Sequence, residues 1–448
     1  MQSPLSPRAE RARFPAVMRS AAALLGSALA LSAARASASE VPPRAAANAP
    51  AFAGEVLERS AFVRAVLARN PTLEAARQGV VAARARLEQA GAFADPMLEL
   101  GIAPLSIASR AAPFGLEAAL SQKVPWFGKR ALERGASAAE AEGARLDSEA
   151  LRRELAFAAV ALYEQYFVAT RALEINAAHL QLMGALREAA LAQLSAGRAS
   201  AADALQADAE LAHLEHEALL LSTQREVIAA QMNELLHRAP ELPLPPPPAE
   251  QAPAEPAGPP RADPAASRPD IAAAEQRARA QQARVQRAER ERYPDFTLSA
   301  SYSSMWDLPA HRWMVGVSLD LPLQLGARAG AAEEARALGA QIEQEAARLR
   351  DAARTQVFVA RKQLAESGHV LHLYETRLLP LARQRIEAVR AGFASSQNAF
   401  AVVIEAQRAL RALELEYQKA RAEQVTRHAE LARALGQIPG LDLEAGKP

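Results

Sequence analysis

The sequence predicts a mainly α protein with a small β part, built from one helix–β-hairpin–long helix–helix unit written twice. Three observations predict it: landmarks that recur at a nearly constant offset, two long proline-poor helical runs, and four short segments of alternating hydropathy. The chain has 448 residues, of which 50% are apolar, 23% charged and 5% aromatic. It contains no cysteine, so disulfides, zinc–thiolate sites, iron–sulfur clusters, cysteine nucleophiles and a lipid-modified N-terminal cysteine are all excluded. A formal net charge of +1 gives no electrostatic case for nucleic acid. No uninterrupted apolar run reaches the ~18 residues of a membrane-spanning helix. Entry into a membrane would therefore have to be by β-strands.

Residues 1–38 read as a secretory signal peptide. Arg8, Arg11, Arg13 and Arg19 precede the apolar run 21–34, which exits through Ala36-Ser37-Ala38, a small-x-small pattern. A buried N-terminal helix is the alternative, and Met18 would make a tidier start than Met1. Removing the segment leaves a mildly acidic chain of about −3, because five of its residues are Arg and one is Glu.

The duplication is read from ordered landmarks. Asn70-Pro71-Thr72-Leu73 resembles Arg268-Pro269-Asp270-Ile271, and Asp95-Pro96 resembles Tyr293-Pro294, both at an offset of 198. Gly128 and Gly326 keep the offset of 198, and Ala196-Gly197 and Ala391-Gly392 follow at 195. The first repeat is placed at 39–238 and the second at 269–448. Between them, residues 239–268 form a proline-rich linker, with twelve prolines from Pro240 to Pro269. Proline lacks a donor and clashes with a preceding helical turn, so an extended polyproline-like strap is expected; a ligand for a proline-reading module is the sharper alternative.

Within each repeat, Pro71 and Pro269 open helices ending near Phe93 and Arg292, at a position where a fixed φ costs nothing. Hairpins are expected at 95–125 and 294–323, with Leu98, Leu100 and Ile102 alternating in one strand and Trp313, Val315, Val317 and Leu319 in another. Long helices are expected at 129–195 and 327–391. In the first, Leu151, Leu155, Ala158, Leu162, Tyr166, Ala169 and Leu173 recur at helical spacing. Sixty-seven residues at ~1.5 Å each make a rod of ~100 Å. Pro380 predicts a kink or break in the second rod, Gly197 and Gly392 are read as C-cap glycines, and return helices are expected at 201–238 and 398–435.

The alternating strands fit a wall with lipid on one face and water on the other; hairpins packed on helices in a soluble protein are the alternative. In lipid, an open sheet edge leaves backbone groups unpaired at several kcal/mol each. Four strands cannot close a barrel and about eight are needed, so hairpins that enter a membrane require several copies of the chain.

The duplicated plan, together with Asn70-Pro71, Pro125-Trp126-Phe127-Gly128-Lys129-Arg130, Ala391-Gly392 and the run 400–408, resembles the outer-membrane factor (TolC-like) efflux channel family. The likeness runs from about Gly54 to Gly436 and leans toward the branch exporting heavy-metal cations. It implies a homotrimer with a trimeric α-barrel and a twelve-stranded β-barrel in the outer membrane of a Gram-negative cell, with its helices in the periplasm. It also implies a periplasmic adaptor (membrane fusion protein) and an inner-membrane pump, of RND type, as partners. The function expected is a passive exit duct for heavy-metal cations or toxic small molecules, with no catalysis, cofactor or nucleic acid. Drug efflux, type I protein secretion, and a non-pore periplasmic scaffold or adaptor are the alternatives. Where relatives carry an N-terminal cysteine this chain has none, so anchoring would rest on the barrel. From Gly392 to Ala406 are 14 residues, against ten from Gly197 to Ala207, which suggests a longer second tip or a bulge in the return helix.

The tips are the candidate adaptor contact and gate: Gly197, Arg198, Ser200, Asp203 and Asp208 in the first, Gly392, Ser395 and Asn398 in the second. Asp203 and Asp208 would offer carboxylate rings to cations, while Ser200 with Asp203 also reads as a capping box and Asn398 as an N-cap. Membrane-facing candidates are Leu98, Leu100, Trp313, Val315, Val317 and Leu319. Trp126, Trp306, Trp313 and Tyr302 read equally as an interfacial aromatic belt or as packing. His213 with His216, and His369 with His372, share a helix face but lack a third ligand, so no metal site is assigned. No phosphate loop or nucleophile elbow is present.

Overall fold

The structure, a computed structural model, describes residues 55–104, 107, 114–196, 200–249, 268–395 and 397–441, all within the compact unit Pro50–Pro448. The signal-peptide segment, Gly197, Arg198 and residues 250–267 of the linker lie outside the described residues. The first repeat comprises α1 (Arg59–Arg69), α2 (Pro71–Gln89), β1 (Met97–Ile102), β2 (Leu116–Val124), α3 (Lys129–Ser195) and α4 (Ala201–Leu235). The second comprises α5 (Pro269–Arg290), β3 (Asp295–Ser303), β4 (Trp313–Asp320), α6 (Leu325–Leu373), α7 (Leu379–Ala394) and α8 (Phe400–Ala434).

Local chemistry explains the boundaries. Asn70 caps α2, accepting from the Thr72 N–H at 2.9 Å, with Pro71 in the first turn. The first rod begins after Gly128, whose φ of +85° is left-handed and whose missing Cβ leaves room for the Arg290 guanidinium. α3 runs unbroken for 67 residues. The second rod does not break at Pro380. The five residues Tyr374–Leu378 widen into a π-turn, because the proline ring cannot donate to the preceding turn and the helix re-registers around it.

Helix α1 was not expected from the sequence. It buries Phe62, Val63, Val66 and Leu67 in the largest core, against Ala159, Val160 and Tyr163 of α3, Met232 of α4 and Leu236 at its C-cap. The buried stripe of α3 includes Tyr166 and Ala169 of the predicted set, with Leu155 and Leu162 packed against the same core, and adds Ala156, Ala159, Val160, Tyr163 and Phe167, while Ala158 is exposed. Neighbours pack α3 on several sides, so leucine spacing alone marks only part of a wider buried face. A second cluster near the tips joins Met183 and Ala190 to Ala207, Leu214, Phe400 and Ile404. Along α5, Arg277 pairs with Asp147, Arg284 with Glu140 and Arg287 with Glu133, zipping α5 antiparallel to α3. These pairs are about half exposed, each worth ~0–1 kcal/mol, and they set register more than stability.

The described part of the proline-rich strap lies on α3 and α4, and side chains from the helices donate to its carbonyls. Asn233 donates to Pro240 and Leu242 at 3.1 and 2.8 Å, and Arg171 to Pro248 at 2.8 Å. A proline-rich segment offers acceptors and few donors, so the helices supply the N–H and O–H groups.

All four strands lie in one antiparallel sheet, in the order β1-β2-β3-β4. The two hairpins join through β2 and β3, with Leu120 opposite Ala300 and Val124 opposite Phe296. The strands have 6, 9, 9 and 8 residues. Their far edges, β1 and β4, have no further strand beside them among the described residues.

Candidate functional site

Register divides the sheet into two faces. Leu98, Leu120, Ala300 and Val315 align across it, as do Leu100, Ala118, Tyr302 and Trp313, and Val124, Phe296 and Leu319. One face thus carries Leu98, Leu100, Ile102, Leu116, Leu120, Leu298, Val315 and Val317 almost without polar interruption. The other carries Glu99, Glu117, Ser121, Lys123, Thr297, Ser299, Ser301, Ser318 and Asp320. Among the described residues nothing covers the apolar face: Val315 is 89% exposed, Trp313 71%, Leu100 66%, Val317 64%, Leu98 57% and Leu319 50%. A bare, two-sided sheet of this size is an interaction surface by default.

The sheet meets the rods through a charged and aromatic joint. Lys129, 5% exposed, donates to Asp295 at 2.9 Å, Glu291 at 3.1 Å and the Tyr293 carbonyl at 3.2 Å. The Asp295 carboxylate also accepts from the Trp126 N–H at 2.9 Å, and Lys123 reaches Asp320 at 2.8 Å. Trp126 stacks on Tyr293 and Phe296 with ring centres 5.2 and 5.4 Å apart, so it packs the joint. Trp313 packs on Tyr302 at 5.1 Å while most of its surface stays exposed.

At the opposite end of the rods, the two tips correct several sequence expectations. Ser200 is the N-cap of α4, and the Asp203 carboxylate accepts from its N–H at 3.0 Å, the acidic arm of a capping box. Asp208 is paired with Arg187 of α3. Gly392 does not end the second rod: it lies inside α7, whose C-cap is Ser395. Ser395 Oγ donates to Ala391 and Gly392 carbonyls at 3.2 and 3.1 Å.

Asn398 does not cap α8 either, since the N-cap is Ala399, without a side-chain bond. The Asn398 amide instead turns back to donate to the Val389 carbonyl at 3.2 Å. A Cβ on Gly392 would collide with that amide nitrogen, so Gly392 is the glycine of a clasp rather than of a cap. The expected longer second tip is also absent. The rods end at Ser195 and Ala394 and the return helices begin at Ala201 and Phe400, leaving equal connections. The extra length lies in the second rod, whose segments of 49, 5 and 16 residues together exceed the first rod's 67 by three.

Above the tips, polar side chains that the sequence did not single out tie the two repeats together. Arg408 of α8 donates to Glu210 of α4 at 2.8 Å, and Glu210 is only 3% exposed. Arg411 reaches both Asn176, at 3.1 Å, and Glu217. His179 lies 3.1 Å from Glu414. The only sequence signal was the charge density of α4 and α8, which does not reveal pairing across repeats. His213 and His216 lie exposed on α4.

A four-stranded, two-faced sheet carried on duplicated rods is a fold shared with solved outer-membrane channels. Residues 263–437 match the family model for outer membrane efflux proteins, and both repeats share the fold of solved channels. That match lies across the linker end and the second repeat. The outer-membrane channel OprN superposes with a TM-score of 0.71 at 21% identity, covering 84% of this chain and 89% of that one. CusC, described for transmembrane channel formation, gives 0.74 at 18% identity, with 85% and 92% covered. The outer membrane protein VceC of Vibrio cholerae gives 0.72 at 19% identity, with 85% and 96% covered. No curated protein matches the chain.

Proposed function

We propose that the protein is the outer-membrane exit duct of a tripartite efflux system. The observation that carries this is the bare apolar face of a sheet with two open edges. Three copies would join their sheets into a twelve-stranded barrel, apolar outward and polar inward, above a periplasmic α-barrel of the rods. Closure satisfies every strand edge, which lipid demands. Exposed apolar side chains on α4 (Leu205, Leu219 and Val227) and on the second rod (Phe358 and Leu381) supply further surface for neighbouring copies.

The tips around Ser200, Asp203, Asp208, Ser395 and Asn398 are the docking and gating ends, meeting a periplasmic adaptor and, through it, an inner-membrane pump of RND type. The cargo is heavy-metal cations or toxic small molecules. The duct has no chemistry of its own, so selection of cargo falls to the pump. Membrane fractionation, followed by conductance of the purified protein in planar bilayers, tests the duct. A soluble monomer without conductance refutes it. A deletion strain as tolerant of zinc, cobalt, cadmium, copper and silver as its parent refutes metal cargo and leaves other small molecules.

A further inference from the structure

We infer that β4 of one chain pairs with β1 of the next at a set register, with Leu319 opposite Leu100 of the partner subunit and Ser318 opposite Gly101 of the partner subunit. The inference rests on the barrel reading and adds to it which residues meet at the seam. Three features of the single sheet fix the register.

The first is facing. Directly opposed residues share a face, and a slip of one residue turns a whole strand over. Gly316 lies on the polar face, so it must oppose Gly101 of β1 or, if the partner's strand continues in the same alternation past Ile102, Ala103 or the position two beyond.

The second is the seam already present. The pairing of β2 with β3 joins the two repeats as β4 with β1 would join two copies. Carrying the pair Ala118–Tyr302 across at the repeat offset of 198 sets Gly316 against Pro104, which is one residue from a permitted facing. Ala103 and the position two beyond it are the nearest solutions, and Gly101 is removed.

The third is tilt. From Met97 at the foot of β1, the ladder leads to Ser121, Ser299 and Gly316. These lie three, four and four residues above the feet of their strands at Val124, Asp295 and Asp320, so the ladder rises three residues from β1 to β2, one more to β3 and none from β3 to β4. Closing on Ala103 brings the climb to six residues per chain. At ~3.3 Å per residue and ~4.8 Å between strands, six residues over four strands tilt them by about 45°, at the upper end of the range that barrels show. Closing two residues further on gives a tilt of about 54°, outside that range. Ala103 remains, and with it Leu319 opposite Leu100 of the partner subunit. This result does not depend on how many copies close the ring.

The absence of cysteine makes the test direct. Full-length chains carrying Leu319→Cys with Leu100→Cys, or Ser318→Cys with Gly101→Cys, are expressed in a Gram-negative host and oxidised in the membrane. Opposed Cα atoms in a ladder lie within disulfide reach, whereas a two-residue slip does not. Both pairs should shift most of the monomer band to covalent oligomers on non-reducing gels. Leu319→Cys with Leu98→Cys, or with Ile102→Cys, should leave it in place. Cross-linking of a slipped pair, with the two named pairs silent, overturns the register while the duct stands. Unmodified protein that forms no membrane oligomer, with every pair silent, overturns both. Using one pair on each face keeps the test decisive if a substitution on the lipid face impairs insertion.

Discussion

His237 is the described non-glycine residue with positive φ, at 55°. It ends α4 as Gly436 ends α8: Arg238 bonds back to Asn233 and Gln437 to Ala432, each at 2.9 Å. The same left-handed cap closes both repeats, filled by glycine once and by a strained histidine once. His237→Gly should therefore stabilise the protein by about 1 kcal/mol, read as a raised thermal midpoint. The Gly392 clasp predicts a change of sign. Alanine inside a helix gains about 0.5–1 kcal/mol over glycine, yet its Cβ would strike the Asn398 amide. Gly392→Ala should be neutral or destabilising in the parent chain and stabilising in an Asn398→Ala background, as a double-mutant cycle by thermal denaturation would show. A sequence match of Gly392 to Gly197 hid this, because two glycines in similar company were doing different jobs.

Among elements, α3 was legible to the residue, since Gly128 starts it and no proline interrupts it. Strand positions were legible from alternation alone. Helix α1 was not, because its apolar residues are few and gain meaning only from Tyr163 and Met232, distant in sequence. The equal tips were missed because three residues added within the second rod were read as added to its end. The cross-repeat pairs of α8 were illegible for the same reason as α1: partners nearly two hundred residues away leave no local pattern. Helix α8 also carries His428, whose half-buried ring is held below the ordinary histidine pKa by desolvation, with Nδ1 lacking a partner. A lowered folded pKa favours the neutral ring, so its stabilising share is present above the unfolded value of ~6.5 and lost as pH falls below it. Thermal midpoints should drop between pH 7.5 and pH 5, and His428→Gln should shrink that drop.

For the whole molecule, the two faces of the sheet should respond oppositely to charge. Val315→Arg places a guanidinium on the face assigned to lipid, at a cost of about 2–4 kcal/mol near mid-membrane. It should deplete the protein from the outer-membrane fraction, whereas Ser301→Lys on the polar face should leave its abundance unchanged. Comparable losses from both would contradict a barrel wall. On the barrel reading, the two edges left unpaired among the described residues and the uncovered apolar face also constrain biogenesis. A solitary chain has no acceptable way to lie in oil, and in water it displays a sticky flank, so companionship and insertion have to be one event. Arrival in the bilayer should then rise more steeply than in proportion to the supply of newly exported chains, and a scarce supply would stall in the periplasm.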